Sequence, residues 1–194
     1  DGGLVLDDRL STRIPTIHAA GDVVGGLQFT HAAAAYAWSA TMNALFGWIR
    51  TWSPGLEVFP SVVYTDPEVA RTGLSELDAT ARGIPFEVTR VDFASIDRAV
   101  IEGVTDGFAK VLTVPGKDRI LGVTLCGAHA GDMLPEFTFA MRNGLGLRAI
   151  LRTVHPYPGW ADANRALATA WQKAHTPPWV LSLSARLLRR QRGG

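Results

Sequence analysis

Cysteine occurs once in these 194 residues, at Cys126. A single thiol excludes an intrachain disulfide framework, a Cys-x-x-Cys redox pair and a multi-cysteine zinc site within this sequence, and it suits a reducing cytoplasm. An excess of either charge is also lacking: 19 basic against 18 acidic residues leave a formal net charge of +1. No global field therefore draws the chain to nucleic acid. Charged residues make up only 19% of the chain and apolar ones 47%, which excludes a disordered or low-complexity protein and allows a sizeable core. Asp1-Gly2-Gly3 runs straight into a strand-like stretch, with no signal-peptide pattern. Positions 23–49 hold no Asp, Glu, Lys or Arg, a run long enough to span a bilayer. Gly25-Gly26, Gln28, Thr30, His31, Ser39 and Asn43 interrupt it, and alanine fills most of the rest. That content reads as a buried helix of a soluble protein over about 30–48.

Residues 4–6 and 17–20 read as short strands, the second ending at Gly21-Asp22 before the alanine-rich helix. The stretch Thr51-Trp52-Ser53-Pro54-Gly55 breaks the pattern and places a boundary after residue 55. Beyond it, 58–64 and 69–72 read as strands on either side of Asp66-Pro67. Ser75, followed by Glu76 and Asp78, starts a short helix that stops at Gly83. Residues 86–91 alternate as a half-buried strand, and 107–114 pairs with 120–126 around Pro115-Gly116-Lys117-Asp118. Helices follow over 130–142 and 162–173. Strands first and helices after them make 56–175 an α+β domain. Residues 176–194 form a basic tail, with Val180, Leu183 and Leu187 at helical spacing and Arg186, Arg189, Arg190 and Arg192 near its end. Such a tail fits a helix packed on its own domain, or a weak contact with an anionic membrane surface.

Two places carry chemistry. Gly21-Asp22 closes a strand-like segment and is followed by glycines and a helix start, a plausible ligand corner. Glycine lets a ligand come close, aspartate accepts hydrogen bonds from hydroxyls, and Thr30-His31-Ala32 offers backbone N–H groups. An ordinary turn before a capped helix satisfies the same spacing. In His155-Pro156-Tyr157-Pro158-Gly159, each proline steers the residue before it out of the α region, so His155 and Tyr157 sit in an extended loop. Asp162, five residues beyond Tyr157, is placed to cap the last helix. Such a loop projects side chains toward a partner, or is a proline-rich turn with a surface histidine. His129 and Asp132 have no third ligand nearby and read as a cap or surface pair, and Cys126 as an inert core thiol. A hydrolase built on Asp22 and His31 has no nucleophile motif behind it.

Thr12-Arg13-Ile14-Pro15-Thr16-Ile17-His18-Ala19-Ala20-Gly21-Asp22 resembles the second flavin motif of the pyridine nucleotide-disulfide oxidoreductases. The resemblance continues through Val62-Val63-Tyr64-Thr65-Asp66-Pro67-Glu68-Val69-Ala70-Arg71-Thr72-Gly73, Gly107-Phe108-Ala109-Lys110-Val111 and Ile120-Leu121-Gly122-Val123. It closes at His155-Pro156-Tyr157-Pro158 and Asp162, so it covers roughly 3–172. By this resemblance, 1–55 is the end of an α/β FAD-binding domain and 56–175 an antiparallel sheet flanked by helices that dimerises. Gly21, Asp22, Thr30, His31 and Ala32 then fall at FAD-contacting positions.

The resemblance also implies a homodimer in which Tyr157 and Asp162, at the motif's positions, complete the partner subunit's active site; His155, two positions before Tyr157, is a further candidate for acid-base work there. Disulfide-reducing relatives place a histidine where Tyr157 stands and a glutamate where Asp162 stands; mercuric reductase-like members place tyrosine there. A tyrosine titrates near pH ~10, so it is a hydrogen-bond donor and not a neutral-pH base. Two Gly-x-Gly-x-x-Gly turns, for FAD and NAD(P)H, belong to the family and are absent from this sequence, as is its cysteine pair. The chain is therefore expected to be the C-terminal part of a cytoplasmic FAD-dependent NAD(P)H oxidoreductase, inactive by itself. The competing expectation is a stand-alone dimerisation module without chemistry.

Overall fold

The structure is a computed structural model that describes residues 2–177, 179 and 180. The tail beyond Val180, with its arginines and its suggested membrane contact, lies outside the described residues. The chain divides into two compact units, one ending at Glu57 and the other beginning at Val58.

The first unit is built on one helix, α1 (Thr30–Phe46). Asn43, buried on it, donates to the carbonyls of Arg9 at 3.1 Å and Trp52 at 2.9 Å, and accepts from the Trp52 N–H at 2.8 Å. One side chain thus ties both flanking segments to the helix. The two strands expected here do not form. Residues 4–6 contribute the Leu4 N–H to the Val23 carbonyl, and 17–20 only an isolated bridge between His18 and Ser11. A ladder needs a neighbouring strand along its length, and among the described residues of this unit neither segment has one. The expected burial of α1 is also corrected: Ala32, Ser39, Ala40 and Asn43 are buried, while Trp38 and Leu45 stand exposed. The four buried residues lie along one face of the helix. Among the described residues, no helix is long and apolar enough to cross a membrane.

The second unit runs β1 (Pro60–Val63), β2 (Val69–Gly73), α2 (Glu76–Ala81), β3 (Glu87–Asp92), α3 (Asp97–Glu102), β4 (Phe108–Thr113), β5 (Ile120–Cys126), α4 (Ala130–Arg142), α5 (Leu147–Arg152) and α6 (Asp162–Ala174). Its five strands form one antiparallel sheet in the order β1-β2-β5-β4-β3. Strand alternation sorts the two faces. The cross-strand row Val62, Ala70, Leu125, Ala109, Val91 is apolar, and the neighbouring row Ser61, Arg71, Thr124, Lys110, Arg90 is polar. On the apolar side α4 packs against β2 and β5, and α6 against β3 and β4. Phe137, Leu167 and Trp171, all fully buried, fill the space between.

The start of α2 is held as its sequence predicts. Ser75 accepts the Asp78 N–H at 3.1 Å, while Asp78 accepts from the Ser75 N–H at 2.9 Å. Helices α3 and α5 escape sequence reading, because six residues are too few to display a helical period and, unlike α2, neither has a capping side chain to mark its start. Cys126 ends β5 and is half-buried, not enclosed. Beside it Gly127, at φ +142°, leaves no room for a side chain: a Cβ there would lie 2.4 Å from the ring of buried Phe93. That close approach seats the loop from β5 into α4 against the segment leading to α3.

Candidate functional site

In the first unit, Gly21 adopts φ 81° and ψ −156°, a combination open to glycine. It turns the chain into a single turn of 3-10 helix (Asp22–Val24), so Asp22 stands exposed at the corner. A cavity of about 450 Å³ lies beside it, lined by Gly2, Gly3, Asp22, Gly25, Gly26 and Gln28. Its walls are largely backbone, with one carboxylate and one amide, a lining that suits a narrow hydroxyl-bearing chain. A Cβ at Gly3 would lie 2.5 Å from the Val24 carbonyl oxygen, so that close wall depends on glycine. Thr30, His31 and Ala32 form the first turn of α1, where no side chain caps the helix. They do not line the cavity: Thr30 and His31 are exposed and Ala32 is buried.

In the second unit, the loop between α5 and α6 is held at three points. His155 is enclosed, its side chain 5% exposed, and Nε2 lies 3.0 and 3.1 Å from the two Glu136 carboxylate oxygens. Facing a carboxylate, that nitrogen carries the proton. Asn164 completes the arrangement by donating to Glu136 Oε2 and to the Met133 carbonyl, each at 2.9 Å. The surface histidine of the ordinary-turn reading is thus an interior residue, because the acid of α4 draws it in.

The second hold is at Tyr157. Its ring is exposed, and its hydroxyl donates to Asp97 Oδ2 at 2.8 Å. That hydrogen bond and the Asp97 charge raise the phenol above its ordinary value, with burial and Asp162 adding to the effect. The phenol therefore stays protonated at neutral pH. The third hold is at Trp160, whose Nε1 donates to Glu102 at 3.3 Å and whose ring lies 4.9 Å from that of His129. His129 also approaches Asp132 at 3.4 Å, as a surface pair, and no group of three or more metal-ligating side chains occurs among the described residues.

Asp162 differs from its expected place. It is the first residue of α6, while Ala161 is the N-cap and has no capping side chain. Instead Asp162 accepts the Gly159 N–H at 3.4 Å and lies 3.6 Å from Arg165 Nε, so it braces the preceding turn. Tyr157 and Asp162 both line two cavities, of about 420 and 370 Å³. The first also holds Asp97, Arg165, Thr169 and Lys173; the second adds Arg152 and His155.

Sequence reading missed Asp97, Glu102, Glu136 and Asn164. For Asn164 a signal exists: it occupies a position in the stripe of Leu167, Ala168 and Trp171, where a polar residue needs partners. Asp97 and Glu102 carry none, since α3 is itself invisible in the sequence.

Residues 59–168 match the model of the pyridine nucleotide-disulphide oxidoreductase dimerisation domain. Over 181 residues the chain is 36% identical to the dihydrolipoyl dehydrogenase of Chlamydia muridarum, an overlap of 91% of this chain and 38% of that protein. The mitochondrial dihydrolipoyl dehydrogenase of Mus musculus is 34% identical over 174 residues, 89% of this chain and 34% of that protein. Among solved structures, the HOCl-induced flavoprotein disulfide reductase RclA from Escherichia coli superposes with a TM-score of 0.79 at 27% identity, covering 87% of this chain and 38% of that one. The chain thus spans little more than a third of the length of these relatives.

Proposed function

The chain belongs to the pyridine nucleotide-disulphide oxidoreductases, its residues 59–168 being the dimerisation domain, and from that membership we propose that it pairs two copies of an FAD-dependent NAD(P)H oxidoreductase. In that enzyme the loop from His155 to Asp162 of one subunit completes the active site of the other. The observation that supports this reading is the loop itself, with Tyr157 projecting from an anchored base formed by His155, Glu136 and Asn164.

When bound, the flavin supplies the electron transfer. The chain's own residues would hold and tune it. Asp22, beside the glycine-walled cavity, would accept hydrogen bonds from hydroxyl groups of the cofactor's chain, and Gly21 sets the turn that presents it. The N–H groups at Thr30, His31 and Ala32 place partial positive charge near the start of α1. Tyr157, protonated at neutral pH, positions a docking group by hydrogen bonding and does not remove its proton. His155 orients the loop from its enclosed site, and Asp162 braces it. Tyrosine at this place favours a mercuric reductase-like member over one that reduces disulfides by histidine acid-base chemistry. The single cysteine fits a cytoplasmic enzyme, and any weak membrane contact would belong to the basic tail.

Light scattering across a range of concentrations tests the pairing. A dimer of the 20.9 kDa chain is expected, and a concentration-independent monomer would overturn the reading. In the intact flavin-loaded enzyme, Tyr157→Phe is expected to lower turnover, and full retained turnover would remove Tyr157 from the mechanism.

A further inference from the structure

Asp162 stands five residues beyond Tyr157, yet its carboxylate is spent on the Gly159 N–H and Arg165. The Tyr157 hydroxyl turns to another acid, Asp97, at 2.8 Å. Asp97 is the first residue of α3 and Glu102 the last. Glu102 accepts from Trp160 at 3.3 Å, so the two ends of this one short helix grip the loop at Tyr157 and at Trp160. The prolines on both sides of Tyr157 remove backbone freedom between those grips.

We infer that Asp97 is the positioning residue of Tyr157, fixing the phenol so that it presents an acceptor oxygen, and not a proton, to a group that docks against it. A phenol has one proton. With that proton committed to Asp97, the oxygen lone pairs are what remains for a docking group, and a donor such as a thiol S–H or an ammonium fits them. Asp97 therefore does for Tyr157 what the sequence spacing assigns to Asp162. The charged and titratable groups around the phenol are Asp97 from α3, Asp162, Arg165 and Lys173 from α6, Arg152 from α5 and His155 from the loop. Of the acids, Asp97 alone is hydrogen-bonded to it among the described residues. The raised titration of Tyr157 has the same first cause.

This inference rests on the proposed role of the loop, but its test needs neither flavin nor turnover. The full chain has three tyrosines, Tyr36, Tyr64 and Tyr157, so carbon-13 labelling of the tyrosine ζ-carbon gives three resolvable signals by NMR. The Tyr157 signal, assigned by its loss in Tyr157→Phe, is expected to titrate above the ordinary value of about 10. Asp97→Asn should move it down toward that value, and Asp162→Asn should move it less. An Asp97→Asn chain whose Tyr157 titrates as in the wild type, or a larger shift from Asp162→Asn, would overturn the inference. A wild-type Tyr157 that titrates at the ordinary value would also overturn the inference. If instead the oxidoreductase reading fails, by light scattering or turnover, these titrations stay where they are.

Discussion

Asn164 offers the sharpest test of how the loop is anchored. It is 1% exposed, and its amide gives one hydrogen bond to the charged Glu136 and one to the Met133 carbonyl. A bond to a charged group contributes about 1.5–3 kcal/mol and a neutral one about 1 kcal/mol, so Asn164→Ala should cost roughly 2.5–4 kcal/mol. For a chain of this size each kcal/mol lowers Tm by about 2–4 °C, so calorimetry should show a drop of roughly 5–16 °C. Asn164→Asp adds a sign test. It sets a second carboxyl where the amide now lies 2.9 Å from Glu136 Oε2, and the like charge raises the new group's pKa in the folded state. A group with a raised folded pKa has its full stability below the unfolded value of about 3.9 and loses it as pH climbs toward the folded value. Relative to the wild type, Asn164→Asp should therefore be closer in stability at pH 4 than at pH 7. A Tm drop below about 2 °C in Asn164→Ala, or an Asp variant equally damaged at both pH values, would refute the role given to this network.

Two further outcomes concern the frame around the site. Ser75→Ala removes the hydroxyl that caps α2 and should cost about 1 kcal/mol in urea unfolding. The Ser75 hydroxyl and backbone, with Arg71, lower Asp78 to about 2, so its contribution is present above an unfolded value near 4 and is lost as pH falls toward 2. An acid-unfolding curve of Ser75→Ala that keeps the wild-type loss over that window would contradict the assignment. Gly127→Ala should destabilise the second unit, because a Cβ meets the Phe93 ring at 2.4 Å and φ is +142°. Pairing it with Phe93→Leu should recover part of the loss, and an unaffected Tm in the single variant would show that the ring has room to move.

Much of the second unit was legible in order along the chain. The five strands are placed within a residue or two, β3 by its alternation and the others by the turn residues that separate them, and Ser75 with Glu76 and Asp78 announces the start of α2, because these signals depend on neighbours within a few residues. The Gly21-Asp22 corner and the loop from His155 to Asp162 were found from glycine and proline, which restrict the backbone locally. What the sequence alone settled was therefore composition, strand periodicity and the motifs of a family. Partnership was not legible. Whether Tyr157 turns to Asp162 or Asp97, and whether His155 faces water or Glu136, depends on residues up to 60 positions apart. Only the folded sheet, by bringing α3, α4 and α6 around the loop, decides which acid each side chain meets. A hydrogen bond is made by distance in space, and spacing along the chain does not specify it.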